Sequence, residues 1–191
     1  MISLQQLLDS RDRRSQHQKD LLGMHPGKSL LCLTVQLPGA EKRNALSLKI
    51  AAAAVEAIRQ AFPVEQEELA DLETGYEGYF LLPLDPVEAK RRACHVEDTH
   101  PLGRLMDLDV LSLKMSPNMD AGHVMQFASA NKPQNMDAEV WIVDRTALGL
   151  PPRRCLLCGN EVRYCMRAKT HSLEELLAKM EEMVAAYGRN R

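Results

Sequence analysis

The sequence has few aromatic residues, no strong net charge and no long apolar run. Only 4% of its 191 residues are Phe, Trp or Tyr, which leaves few rings on which nucleic-acid bases could stack. The 24 basic and 26 acidic residues give a formal net charge of -2. This balance argues against general nucleic-acid binding, although it allows a local basic patch. We therefore expect no nucleic-acid partner.

The absent targeting signals and the cysteine usage suggest a compartment. No apolar stretch approaches the roughly 20 residues that span a bilayer, and the N-terminal segment lacks the cationic start and apolar core of a signal peptide. Five cysteines, an odd number, do not suggest a secreted disulfide framework. We expect a cytoplasmic protein with free thiols and no membrane association.

The apolar periodicity predicts an α+β protein with a mixed or antiparallel sheet flanked by helices, forming one domain over 1–191. Residues 3–22 form an N-terminal helix in this prediction, and 29–145 form the core, in which 114–138 are a loop or insertion. A basic Cys/His segment and a C-terminal helix occupy 151–188. The predicted strands are 29–37, 76–82, 104–113 and 139–143, and the core helices are 44–61 and 86–98.

The N-terminal helix is unusually polar. It has no apolar residue from Asp9 to Asp20, and Arg11, Arg14 and Gln18 recur at a spacing that places them on one face. A helix this polar either is solvated or directs its polar groups toward a ligand or partner. Both interpretations stay open.

A second candidate anion site lies where the first strand leads into a helix, at residues 38–44. Free N–H groups and the helix dipole favour an anion at such a helix start, and Lys42 lies in this turn. The glycine and lysine spacing is not that of a P-loop. An ordinary turn with exposed charges explains the pattern equally well.

A pair of acidic residues gives the sharpest chemical signal. Asp107 and Asp109 are two positions apart on the predicted strand 104–113, so their carboxylates share one face. Such carboxylates repel each other unless a cation lies between them, and oxygen ligands suit Mg²⁺ or Mn²⁺. Gly103 permits close backbone approach, and Arg104 offers a planar fork for phosphate. The alternative is an edge strand with an acidic solvent face.

A cluster of potential soft metal ligands follows near the C-terminus. Cys155, Cys158, Cys165 and His171 supply the number of ligands that a tetrahedral Zn²⁺ requires. A redox Cys-x-x-Cys motif is a weaker interpretation, because the motif follows a double proline rather than a strand-to-helix junction. The third interpretation is a set of half-buried cysteines beside a surface histidine.

The same segment is strongly basic. Between residues 151 and 171, only Glu161 opposes its cationic side chains. Such a patch would suit a phosphate-bearing ligand or an acidic partner protein. Its basic residues are Arg153, Arg154, Arg163, Arg167 and Lys169.

Three motifs stand out together: Pro86 with EAKRRA beginning at Glu88, HPLGRLMDLDVL, and LGLPPRRCLLCGN with a third cysteine and a histidine before SLEELL. They resemble the holo-citrate lyase synthase family, the phosphoribosyl-dephospho-CoA transferases of citrate lyase. The opening arginines and the Pro38-Gly39 turn are also similar, so the resemblance spans most of the chain. The chain departs from the family pattern in a longer 114–138 stretch and in Asp144-Arg145, which replaces a serine-arginine pair.

The resemblance implies an enzyme of the nucleotidyltransferase class with a nucleotidyltransferase-like sheet. It would move phosphoribosyl-dephospho-CoA from 2'-(5-triphosphoribosyl)-3'-dephospho-CoA to a serine of the acyl-carrier (gamma) subunit of apo citrate lyase, releasing diphosphate. The alternatives are another Mg²⁺-dependent nucleotidyltransferase acting on a different carrier protein, and a non-enzymatic zinc-binding interaction module.

For this reaction we expect Asp107 and Asp109 to hold Mg²⁺ and one of them to accept the serine proton. Arg104 would bind the β- and γ-phosphates, and Glu139 would be a third metal ligand. Four arginines of the basic segment would hold the dephospho-CoA diphosphate or dock the carrier. The expected substrate-binding residues are Gly103, Arg104, Lys42, Arg11, Arg14, Gln18, Arg153, Arg154, Arg163 and Arg167.

Overall fold

The structure, a computed structural model, describes residues 2–35, 37–113 and 139–189. The predicted loop or insertion 114–138 lies outside the described residues. No helix in the described part is long and apolar enough to cross a membrane. The elements are α1 (Leu4–Met24), β1 (Ser29–Val35), α2 (Ala45–Ala61), β2 (Gln66–Leu72), β3 (Gly75–Leu82), α3 (Pro86–Thr99), β4 (Met106–Leu113), β5 (Val140–Ile142), α4 (Val162–Ala168) and α5 (Leu173–Arg189).

The strands form one sheet in the order β2-β3-β1-β4-β5, and every neighbouring pair is antiparallel. The α+β prediction is confirmed, and the sheet is antiparallel rather than mixed. In the central register, Thr34 of β1 lies opposite Asp107 of β4, and Cys32 lies opposite Asp109. The nucleotidyltransferase-like topology and the single domain over 1–191 stay predictions.

The two faces of the sheet pack against different helices. One face carries residues such as Leu33, Phe80 and Leu108, which form the main core with α2, α3 and α5. The other face is covered by α1, whose Leu21 and Leu22 pack on the sheet. Each fully buried leucine contributes about 1.5–3 kcal/mol relative to an exposed one, so burial on both faces holds β4 firmly in the sheet.

The helices begin where the sequence predicts. Ser3 and Asn44 cap α1 and α2 with reciprocal hydrogen bonds to the third helical residue. Asp85 accepts from the N–H groups of Val87 and Glu88, and Pro86 occupies the first turn of α3, where its missing N–H has no cost. α3 then packs against β4.

Two elements were missed, and three predicted strands are shorter, among them 139–143, which spans only Val140–Ile142. β2 escapes detection because its charged residues leave it largely exposed, as is common for an edge strand. α4 is short and buries only Cys165, so it lacks an apolar stripe. The predicted strand 29–37 ends at Val35, and the predicted strand 104–113 begins at Met106, because residues 103–105 form a 3-10 turn.

Candidate active site on the free edge of β4

The candidate site lies on the side of β4 that β1 does not cover. β5 pairs only with Leu111–Leu113, so the first half of β4 has no strand partner on this side among the described residues. Side chains and one backbone N–H group instead form hydrogen bonds with the N–H and carbonyl groups of β4 that point away from β1. The N–H of Val143, just after β5, donates to the carbonyl of Val110 at 3.0 Å. The free edge is therefore built mainly from polar side chains.

Two charged residues of α3 complete the hydrogen bonding of Leu108. Lys90 Nζ donates to the Leu108 carbonyl at 2.7 Å, and the Leu108 N–H donates to Glu97 Oε1 at 2.9 Å. Both side chains are almost fully buried. Lys90 Nζ also lies 3.6 Å from Asp109 Oδ1. A buried ion set of this kind needs every partner, because an orphaned charge in the interior is costly.

Arg153 reaches the same edge from the basic Cys/His segment. Its Nη1 donates to Asp107 Oδ1 at 3.1 Å, and its Nη2 donates to the Met106 carbonyl. Its Nη2 also lies 3.4 Å from Glu97 Oε1. The structure thus brings the predicted residues Arg153 and Asp107 together.

The two aspartates share one face of β4, as predicted, with Leu108 directed to the main core between them. Desolvation and then the neighbouring Asp107 raise the pKa of Asp109 above its usual value, and Lys90 opposes this only in part. Burial likewise raises the pKa of Glu97. The site therefore concentrates carboxylates whose charged form is disfavoured, first of all by burial.

Arg104 and Arg145 add positive charge beside the carboxylates. Arg145 lies 3.5 Å from Glu97 Oε2 and also pairs with Asp98. In the described part of the chain the Arg104 guanidinium forms no hydrogen bond or ion pair, although Asp98 and Glu97 attract it. Burial and the nearby Arg153 lower the pKa of Arg104. A partly buried guanidinium beside another arginine is suited to bind an anion.

Gly103 lies buried between α3 and β4. A Cβ there would stand 2.5 Å from the Val96 carbonyl oxygen and 2.6 Å from that of Glu97. The close backbone approach predicted for this glycine is therefore an approach to the last turn of α3. It keeps Glu97 close to β4.

The polar helix α1 covers the face of the sheet on which the aspartates lie. Gln18 donates to Cys32 Sγ at 3.3 Å, next to Asp109 in the register, and Arg14 pairs with the buried Glu77 at 3.2 Å. Arg11 is exposed. Arg14 and Gln18 thus join the face of the acidic pair, whereas Arg11 turns to solvent.

Two other predicted site residues lie apart from the acidic pair. Lys42 Nζ donates to the Leu37 carbonyl at 2.7 Å, and partial burial lowers its pKa. Glu139 precedes Val140, which pairs with Leu113 at the far end of β4. Leu113 is four residues from Asp109, a distance of roughly 13 Å along a strand. The structure does not bring Glu139 to the pair.

The predicted metal-binding cysteines and histidine come together. The ligand atoms of Cys155, Cys158, Cys165 and His171 all lie within 4.8 Å of one another, so the group could hold a metal ion. Cys158 Sγ lies 3.4 Å from both Cys165 Sγ and His171 Nε2. All five cysteines of the chain are free thiols.

The thiols of this cluster differ in their protonation. Although partial burial opposes the shift, hydrogen bonds from the N–H groups of Leu157 and Cys158 help to lower the pKa of Cys155 to about 7. Desolvation and the neighbouring thiols raise the pKa of Cys165 to about 11. The arrangement of amides around the first cysteine of a Cys-x-x-Cys turn favours a thiolate, which is the form that binds a metal.

Comparison with known proteins supplies a family. The sequence model described as apo-citrate lyase phosphoribosyl-dephospho-CoA transferase matches residues 2–119 and 135–187. The chain belongs to this family. One relative is a probable apo-citrate lyase phosphoribosyl-dephospho-CoA transferase of Vibrio cholerae, which is 33% identical over 192 residues. The match covers 97% of this chain and 93% of the relative.

Two further relatives differ in how much of their own length this chain matches. An apo-citrate lyase phosphoribosyl-dephospho-CoA transferase of Escherichia coli is 32% identical, with 96% of this chain and 88% of the relative covered. Protein CitXG of Haemophilus influenzae is 31% identical over 95% of this chain, but the chain spans only 35% of that longer protein. The transferase family therefore occurs as a separate chain and as part of a larger one.

Sequence reasoning missed several residues of the candidate site. Lys90 and Glu97 lie on a helix whose other charges are mostly exposed, and only the free edge of β4 explains their burial. Glu77 on β3 is buried and accepts from both Arg14 and the Tyr79 hydroxyl. The one available signal was the alternation of charge with apolar residues in these elements.

Proposed function

We propose that this chain transfers phosphoribosyl-dephospho-CoA to apo-citrate lyase, the activity named in the description of its family. The observation that carries the proposal is the paired carboxylates Asp107 and Asp109 on one face of β4, flanked by Arg104 and Arg153. Transfer at phosphorus needs positioning and charge neutralisation more than covalent chemistry. This site offers both.

We propose Mg²⁺ as the ion of the acidic pair. The residues fit it, since they offer hard oxygen donors whose mutual repulsion helps to raise the pKa of Asp109. No group of three protein ligand atoms includes the pair in the described residues, which suits an ion that keeps waters and takes phosphate oxygens. When bound, Mg²⁺ would neutralise charge that develops on the transferred phosphate.

The arginines would hold the triphosphate of the donor. Arg104, which lies near Arg153 and forms no ion pair within the described part, is the candidate for the departing β- and γ-phosphates. Arg153 is 21% exposed and already paired to Asp107, so it would bridge the carboxylate and a phosphate oxygen. Bidentate guanidinium contacts fix the orientation of phosphate as well as its charge.

The acceptor hydroxyl must lose a proton as it attacks the α-phosphorus. Asp109 is 53% exposed and Asp107 is 30% exposed, so Asp109 is the more accessible carboxylate. We propose that Asp109 accepts the proton and that Asp107, held by Arg153, orients the site. A base must lie within hydrogen-bond reach of the hydroxyl, which this exposure permits.

The acceptor would bind to the basic surface of α4. Arg163 and Arg167 are exposed there, with no acidic residue between them, and would contact the acyl-carrier (gamma) subunit.

We propose Zn²⁺ for the cysteine cluster, which consists of Cys155, Cys158, Cys165 and His171. Three thiols and one imidazole are a donor set that favours Zn²⁺ over Mg²⁺. Reduced thiols fit the cytoplasm, where we place the reaction.

The proposal is tested with purified protein, apo citrate lyase gamma subunit and labelled 2'-(5-triphosphoribosyl)-3'-dephospho-CoA. We expect one equivalent of label on an acceptor serine and one equivalent of diphosphate, only when Mg²⁺ is present. Label on another carrier protein but not on the gamma subunit would favour the other nucleotidyltransferase. Bound zinc without label on any carrier protein and without release of diphosphate would favour the interaction module.

A further inference from the structure

The segment that carries the cysteine cluster has little apolar burial to hold it. Among residues 151–171 only Cys165 is buried, and Leu156 packs in part against the main core. Tyr164 and Met166 of α4 are 66% and 70% exposed. A helix of seven residues is far below the length that is stable alone in water. Something other than hydrophobic packing must hold α4 in place.

Backbone hydrogen bonds join α4 to Arg153. The Val162 N–H, the first of α4, donates to the Arg153 carbonyl at 2.9 Å, and the Cys155 N–H donates to the Asn160 carbonyl at 2.7 Å. A bridge between Arg154 and Glu161 completes this narrow hairpin. The position of Arg153 is therefore tied to the hairpin that carries Cys155 and Cys158.

The four ligands come from every part of this small unit. Cys155 and Cys158 lie in the hairpin turn, Cys165 lies on α4, and His171 lies between α4 and α5. One ion bound to all four would fasten the turn, the helix and the start of α5 together. A disulfide would use two sulfurs and leave the third sulfur and the imidazole aside.

We propose that Zn²⁺ bound by Cys155, Cys158, Cys165 and His171 positions Arg153 against Asp107. Binding of Zn²⁺ to the cysteine cluster would then control the geometry of the acidic pair. The cysteines and the histidine are positioning residues. They act through the hairpin, and Arg153 makes the contacts to Asp107 and to the Met106 carbonyl. The link to turnover rests on the proposed function, whereas the metal and its structural effect do not.

The metal is tested first, without any activity measurement. We expect one zinc per chain, and after exchange with Co²⁺ we expect the intense visible bands of a tetrahedral thiolate site. Cys158→Ser should lose the ion, and Cys158→His should keep it, since imidazole is also a zinc ligand. Cys94→Ala is the matched control, because Cys94 is a free thiol on α3 outside the cluster. Absence of stoichiometric metal, or a disulfide between Cys158 and Cys165, would overturn the proposal.

The structural effect is tested by hydrogen exchange. Loss of the ion in Cys158→Ser should speed exchange of the Val162 and Cys155 amides at least tenfold and leave the amides of β1 and β3 unchanged. Unaltered protection of the hairpin in the metal-free variant would show that the ion does not hold Arg153. This outcome is independent of whether the protein is a transferase.

The coupling is tested with a double-mutant cycle on the transfer rate. We expect Cys158→Ser and Arg153→Met each to lower kcat at least tenfold, and the double variant to be no slower than the slower single variant. Cys158→His should restore most of the rate. Multiplicative effects in the double variant would mean that the cluster acts by another route, since independent sites add in free energy. A wild-type protein with no transfer would instead count against the proposed function alone.

Discussion

The acidic pair and the cysteine cluster are both groups of like donors brought close together, but the protein holds them in different ways. Asp107 and Asp109 lie on a strand whose neighbours Leu108 and Val110 are completely buried. The cysteine cluster lies in a segment with one buried side chain. The geometry of the first site is therefore set by the sheet, and that of the second depends on what the ligands bind.

The acidic pair and the cysteine cluster also differ in the metal ion that would reduce the repulsion within each group. Burial and then repulsion from Asp107 raise the pKa of Asp109, and burial and then the neighbouring thiols raise the pKa of Cys165. Carboxylates select hard ions such as Mg²⁺, whereas thiolates with imidazole select Zn²⁺. If both proposed ions bind, the two sites should not compete for the same metal.

The largest effect is expected at the acidic pair. Asp107→Asn and Asp109→Asn should each lower the transfer rate about 10³-fold, because each removes a charge that an ion and the transferred phosphate require. Both variants should keep the circular dichroism of the wild type. Glu139→Gln is the control and should stay within about twofold of the wild-type rate, since Glu139 lies far along the sheet. Near-normal activity of both aspartate variants would refute the metal assignment.

The second effect concerns the scaffold of the acidic site. Lys90→Met should reduce the free energy of unfolding by about 2–3 kcal/mol, because the buried Leu108 carbonyl loses a charged donor. Urea denaturation measures this. Arg92→Met on the same helix removes an exposed pair with Glu88 and should change stability by less than about 0.5 kcal/mol. Equal losses in the two variants would mean that the Lys90 contact adds nothing.

The third effect separates the two sites by their response to chelators. Removal of zinc should lower the melting temperature by a few degrees and expose residues 151–171 to proteolysis, with the sheet left intact. Removal of Mg²⁺ should abolish transfer without changing the cleavage pattern, because the strand already holds the aspartates. Differential scanning calorimetry and limited proteolysis measure the two responses. The contrast fails if Mg²⁺ removal also opens the segment.

The smallest effect is a pH dependence at Glu97. Burial raises its pKa in the folded state above the unfolded value, so the folded state holds the proton to higher pH. The stability contributed by this proton is present below the unfolded pKa and is lost as pH rises through the folded pKa. Glu97→Gln has no carboxyl group at this position, so its free energy of unfolding lacks this pH-dependent loss. The stability of the wild type relative to Glu97→Gln should therefore fall as pH rises, by at most about 1.4 kcal/mol per pH unit. A constant difference between pH 4 and 8 would contradict this.

Local patterns allowed much of the architecture to be predicted. The alternation around Asp107 and Asp109 predicts a strand with both carboxylates on one face, and the structure confirms it. The spacing of the cysteines and His171 predicts the ligand group that the structure assembles. Both signals are short-range, so no tertiary information was needed.

The parts that could not be predicted depend on contacts between distant segments. The register between β4 and β5 separates Glu139 from the acidic pair, and residues 114–138 lie between these strands in the sequence. The burial of Lys90 and Glu97 arises because α3 passes an edge of β4 that no strand of the described residues covers. β2 was missed because an exposed charged strand lacks an apolar face.

The polar side chains along the free edge of β4 have a consequence for association between molecules. An unpaired strand edge is a template on which a strand of another chain can add. Here Lys90 and Glu97 already occupy the outward carbonyl and N–H of Leu108, and Arg153 occupies the carbonyl of Met106. The far edge, β2, is lined with charge. The groups that build the candidate site thus also protect the sheet from edge-to-edge aggregation.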